Sequence, residues 1–194
     1  FKDAVEQVSK DLDQLPKHLY YHGKFHTFTD VVPATIVLAK LHKLSYEDTL
    51  LVKTAALYHD TGFLDQYVKN EPKGCDRARK QLPAFSYTQK HIDIICDCIM
   101  ATQLPQTPKT LLAQILCDAD LFHLGTSSYF RKSEALREEI MAQNNITIPP
   151  RKWHLGNIDF LNNHTYFTKH ATAMRQKMKL QNIQDEKVLL GLKQ

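Results

Sequence analysis

Residues 45–62 read SYEDTLLVKTAALYHDTG, and this stretch decides the fold class. Ser45-Tyr46-Glu47-Asp48 reads as a helix cap, residues 50–59 as the helix, and Gly62 lies just past its end. The segments on either side repeat the helical pattern. Upstream, Val5, Val8, Leu12 and Leu15 fall at helical spacing, and Pro16 ends that run. Residues 17–27 predict a second helix, with His18, His22 and His26 at successive i, i+4 positions. Asp30 is expected to cap the next helix, which has Pro33 in its first turns and runs toward His42. Downstream, about 64–74 reads as a loop, followed by helices around 75–82, 88–100, 110–122 and 127–142. A loop at 144–150 with Pro149-Pro150 as a stop precedes further helices around 158–161, 166–180 and 185–192. No stretch alternates as a strand does, and no repeat of fixed period is present. The expected fold class is all-α.

The 194 residues suffice for one domain with a substantial core. A net charge of +4 suits an anionic small molecule but is too weak, without a basic run, to argue for nucleic acid. Cys75, Cys96, Cys98 and Cys117 form neither a CxxC nor a disulfide framework, so buried thiols in a reducing cytosol are expected. No run approaches the ~20 apolar residues that span a bilayer, and no signal peptide is visible. The expected location is cytoplasmic, with no membrane segment.

Three separated segments carry the chemistry. They are His26 in YHGKFHT, the doublet His59-Asp60 in LYHDTGF, and Asp120 in LCDADLF. Two imidazoles and two carboxylates make a mixed nitrogen and oxygen shell, which suits a divalent ion that keeps open positions for water and substrate. Adjacent helical residues point about 100° apart, so an ion bound by both His59 and Asp60 must lie between their directions near a helix end. Asp120 stands among Leu116, Leu121 and Phe122, where an unpaired carboxylate is costly to bury and a cation removes the cost. One divalent ion, Mn²⁺, Fe²⁺, Mg²⁺ or Zn²⁺, is the expected cofactor, the imidazoles arguing mildly against Mg²⁺ alone. Residues four apart on a helix lie about 40° apart around its axis, which places His22 on the face of His26. Its ring is a candidate proton donor, because imidazole holds or releases a proton near neutral pH. Trp153, Tyr166 and Phe167 read as packing of the tail, whereas Phe63 or Phe122 is a candidate contact to a base.

These segments together resemble the HD superfamily of metal-dependent phosphohydrolases, whose signature is H…HD…D on an all-helical fold. Tyr21-His22-Gly23-Lys24-Phe25-His26-Thr27 is similar to that family's YHNxxH segment, and Thr61-Gly62-Phe63 follows the HD doublet as in many members. Leu116-Cys117-Asp118-Ala119-Asp120-Leu121 is similar to its ADL or ADR element, which favours Asp120 over Asp118 as the last ligand. The resemblance covers about 20–125, and FLNNHTYFT at 160–168 resembles the ending of small bacterial members. It implies a single HD-type helical bundle over 1–194, with a metal-binding core at about 17–125 and a helical C-terminal extension at about 126–194. It further implies a phosphohydrolase or phosphodiesterase acting on a nucleotide or cyclic nucleotide through activated water. Metal ligands His26, His59, Asp60 and Asp120 and catalytic roles for His22 and Asp60 follow from it. Cyclic nucleotide phosphodiesterases of the superfamily use a histidine at the position of His22. Many members complete a second metal site with a His-Glu pair after HD and a histidine on a later helix. Here those places read Asn70-Glu71 and Ile99-Met100-Ala101-Thr102, which implies one ion. The lack of second-site histidines also favours an alternative, a metal- and nucleotide-binding sensor domain without turnover.

Overall fold

Nine α-helices and no strand make up residues 1–192, those that the computed structural model describes. They are α1 (Lys2–Leu12), α2 (Val32–Leu41), α3 (Tyr46–Tyr58), α4 (Glu71–Gln81), α5 (Gln89–Ala101), α6 (Leu111–Asp120), α7 (Tyr129–Asn144), α8 (Pro150–Asn163) and α9 (Lys169–Leu189). Helix α3 is the axle. Ser45 caps it, its hydroxyl accepting the Asp48 N–H at 3.0 Å. Leu51, Val52, Ala55, Ala56, Leu57 and Tyr58 are all buried on it, and α1, α2, α4, α5 and α6 pack around it. Each fully buried Leu or Val contributes roughly 1.5–3 kcal/mol of apolar burial. The same core takes in Ala4, Val8 and Leu12 of α1. A smaller cluster of Leu124, Tyr129, Leu161 and Ile183 joins α7, α8 and α9.

Several local expectations are corrected. Residues 17–23 form turns and bends, not a helix, so His18, His22 and His26 share no helical row. The backbone N–H groups of Tyr21 and His22 donate to the Glu139 carboxylate of α7 at 2.8 and 2.9 Å instead of to carbonyls four residues back. A π-helical turn, His26–Val31, follows, a local widening often found at functional sites. Asp30 lies inside this turn and does not cap α2; its carboxylate instead holds Lys132 at 2.6 Å. Helix α4 starts at Glu71, four residues before the expected start, because Pro72 suits a first turn whose N–H groups need no helical partner. The same physics makes Pro150 open α8 where Pro149-Pro150 reads as a stop. Residues 169–189 form one continuous helix where two were expected.

Gly62 has a steric role. A Cβ there would sit 1.9 Å from the Asn70 carbonyl oxygen, so only glycine lets the 3₁₀ turn after α3 touch the start of α4. Among the described residues no helix is long and apolar enough to cross a membrane. All four cysteines are buried free thiols.

Candidate metal centre

The four expected ligands stand at element ends. His26 opens the π-helical turn, His59 follows the last residue of α3, Asp60 precedes the 3₁₀ turn, and Asp120 closes α6. The structure brings all four together from three separated segments. His26, His59 and Asp60 offer ligand atoms within 4.8 Å of one another. Asp120 joins through Oδ1, which lies 3.1 Å from His26 Nε2 and 3.7 Å from His59 Nε2. Asp60 Oδ2 lies 3.2 Å from His59 Nε2 and 3.7 Å from His26 Nε2.

Orientation and satisfaction argue that these atoms surround an ion. The His59 Nδ1–H donates to the Ala56 carbonyl at 2.8 Å, which leaves Nε2 as the free nitrogen at the centre. His59 Nε2 and Asp60 Oδ2 are buried, close and yet misaligned, so neither has a hydrogen-bond partner. Buried polar atoms are almost always paired, and two orphans facing one point are the signature expected of ligands around a cation. Two imidazole nitrogens and two carboxylate oxygens therefore fit a divalent transition ion with open positions.

The electrostatics agree. Burial disfavours charge on both rings, but Asp60 and Asp120 outweigh it at His59, holding it well above the ordinary imidazole range, and Asp120, Asp30 and Asp60 outweigh it at His26, holding it above that range. Burial likewise works against the carboxylates, yet the two imidazoles hold Asp120 and Asp60 below the usual value. The polypeptide alone balances its acids with protons on the rings, and a divalent cation takes the place of those protons.

Around the ligands stands a second set of groups. His26 Nδ1 faces Asp30 Oδ2 at 3.8 Å, and Lys132 holds the other oxygen of Asp30. The His22 Nδ1 lies 2.5 Å from Glu139 Oε1, and its ring stacks on Phe63 with centroids 4.2 Å apart. Glu139 is fully buried and accepts further from the Tyr67 hydroxyl at 3.0 Å. Burial pushes its carboxyl up, but the His22 contacts prevail and hold it below the usual range. His123 is held at the Asp120 carbonyl and the Tyr21 hydroxyl, and burial beside His26 and Lys132 pushes its ring down to about 3. Glu71, with a buried unpartnered Oε2, is raised by burial and by the nearby Asp60 and Asp120 charges.

Other candidates fall away from the centre. Both oxygens of Asp118 accept backbone N–H groups, of Phe167 at 2.7 Å and Thr168 at 2.8 Å, so this carboxylate anchors the start of α9. His18 bonds Gln143, and Arg77 grips Asp65 through two bonds. Asn70 and Thr102 both line the cavity, and the Thr102 hydroxyl donates to the Ile99 carbonyl.

Asp60 and Asp120 lie in the wall of a cavity of about 520 Å³ that also meets His22, Phe63, Glu71 and His123. Trp153, expected to be tail packing, lines it as well, while Tyr166 is buried in the core. Sequence reasoning missed Glu139, Glu71 and Trp153. A buried glutamate in REEIMAQ carries no local signal, whereas Pro72 after Asn70-Glu71 marks a helix start that would have turned attention to Glu71. Comparison of the chain with protein-family models, with curated proteins and with solved structures finds no match.

Proposed function

We propose that this chain is a metal-dependent phosphohydrolase of HD type that hydrolyses a phosphate ester of a nucleotide or cyclic nucleotide. The observation that carries the reading is the pair of buried, unpartnered ligand atoms, His59 Nε2 and Asp60 Oδ2, converging with His26 and Asp120 beside an open cavity. An ion held by these four side chains would supply a Lewis acid for a phosphoryl oxygen and lower the pKa of water. The residues do the rest. Asp60, next to the substrate space, takes the proton that the attacking water loses. In a monoester the water oxygen bonds to phosphorus, the bond from phosphorus to the alcohol oxygen breaks, and that oxygen takes a proton. His22 is the donor of that proton. Glu139 fixes its ring through Nδ1, which leaves Nε2 to face the cavity. Phe63 fixes the plane of the ring from one side. Four buried thiols support a reducing compartment, which we take to be the cytoplasm.

The test is phosphate release from a panel of nucleoside monophosphates and cyclic nucleotides, with the chain loaded with Mn²⁺. Release that disappears in His59→Ala and Asp60→Ala supports the reading, and full activity in either variant overturns it. Tight nucleotide binding without turnover under several metals would instead make the chain a sensor domain.

A further inference from the structure

The wall of the cavity contributed by the C-terminal helices is mostly apolar, with Lys132, Ser133 and Asn157 as its polar members. Leu136 and Ile140 come from α7, Trp153 and Phe160 from α8, and Leu121 and Leu124 from the turn after α6. Hydrogen bonds among its own residues fix this wall. The Trp153 indole N–H donates to Ser133 Oγ at 2.9 Å, and Asn157 donates to the same oxygen at 2.8 Å and to Glu186 at 2.9 Å. A rigid indole edge beside aliphatic side chains recognises a flat or apolar group by burial, and the volume of about 520 Å³ lies within the usual range for a small-molecule site.

The charges lining the cavity limit the other end of the ligand. The lining cations are Lys69 and Lys132, and Lys132 is tied to Asp30 at 2.6 Å. The lining acids are Asp60, Glu71 and Asp120. With Lys132 already tied to Asp30, the lysines add little positive charge against the three carboxylates. So sparse a set of cations matches a single phosphate group. A triphosphate chain needs several arginines, lysines or backbone N–H groups converging on it, and this lining offers no arginine and two lysines, one of them tied to Asp30.

We infer that the site takes esters with one phosphate and a bulky, largely apolar alcohol group, the alcohol seated against Trp153, Leu136 and Ile140. The inference rests on the phosphohydrolase reading for the placement of the phosphate at the metal end. It names the C-terminal helices as the specificity wall.

Trp153 is the only tryptophan, so its fluorescence reports this wall directly. The probes are benzylphosphonate, whose P–C bond resists hydrolysis, methylphosphonate, which has the same headgroup without the ring, and inorganic tripolyphosphate. Each is titrated into the full chain loaded with Zn²⁺. Benzylphosphonate is expected to shift the Trp153 emission and to bind at least about tenfold more tightly than methylphosphonate. Leu136→Asp is expected to remove that advantage while leaving Zn²⁺ affinity unchanged. If Leu136→Asp misfolds, Leu136→Ala replaces it, with an expected loss of about tenfold for benzylphosphonate alone. Equal affinity for the two phosphonates, tighter binding of tripolyphosphate, or an unmoved Trp153 signal overturns the inference. Phosphate release from phenyl phosphate is followed in parallel. Release without a preference for the ring overturns the inference and leaves the hydrolase reading standing. The ring preference without release does the reverse.

Discussion

Two buried acidic clusters in this molecule use similar side chains and end in opposite states. In the first, Glu186 is fully buried, and each of its oxygens is satisfied. Oε1 accepts from the Tyr129 hydroxyl at 2.6 Å and Asn157 at 2.9 Å, and Oε2 accepts from His154 Nδ1 at 2.6 Å. In the second, His26, His59, Asp60 and Asp120 stand as close, yet His59 Nε2 and Asp60 Oδ2 lack a partner. The first cluster has nothing to gain from a cation. The second balances its charges between rings and carboxylates but leaves two buried atoms without a partner, which a cation would relieve. Satisfaction, rather than composition, separates the two. Asp118 makes the same point at closer range, since both its oxygens are paired two residues before Asp120.

The sharpest way to break this comparison is Glu186→Ala. It strands Tyr129, His154 and Asn157 and is expected to cost about 3–5 kcal/mol in urea unfolding, with metal affinity unchanged. Asp60→Asn should do the converse. Calorimetric titration with Mn²⁺ is expected to show affinity at least about 100-fold weaker, while the metal-free protein changes in stability by no more than about 1 kcal/mol. An Asp60→Asn protein that unfolds as readily as Glu186→Ala would show that the two clusters are alike.

A half-buried group tests the comparison through pH. Burial and the neighbouring Lys179 push His164 down to about 4, against a weaker opposing pull from Asp120. Between about 6.5 and 4 the unfolded chain therefore binds more protons than the folded one, and stability falls as pH falls through that window. The expected loss is about 2 kcal/mol after allowing for the partial exposure of the ring, and a His164→Gln protein should show a flatter acid limb in thermal melts. The smallest effect belongs to Asp118→Asn, which keeps one acceptor for the start of α9. It should cost about 1 kcal/mol and leave metal binding intact.

The all-α class was legible in the helical periodicity, and the start of α3 in its Ser45 cap, while Thr88, Thr110 and Thr168 also cap helices, Thr168 within a stretch that periodicity alone reads as helix from 166. The convergence of His26, His59, Asp60 and Asp120 was legible for a different reason. Few residue types serve as ligands, so their placement beside apolar helical runs is a restricted pattern. Where the reading failed, a distant group had overridden local preference. Periodicity favours a helix through His18, His22 and His26, but Glu139 takes the N–H groups that such a helix needs. Asp118 and Asp120 look equivalent in the sequence, and only the arrival of Phe167 and Thr168 distinguishes them. Trp153 became part of a cavity wall because α8 begins at Pro150, a residue that can open a helix as well as end one.

The grip of Glu139 on His22 spans 117 residues, whereas the contact of His26 with Asp120 spans 94. A ribosome makes the chain from its amino end, so all four clustered side chains exist before Glu139 does. His22 is thus made before His26, His59, Asp60 and Asp120 and meets its carboxylate only after all of them.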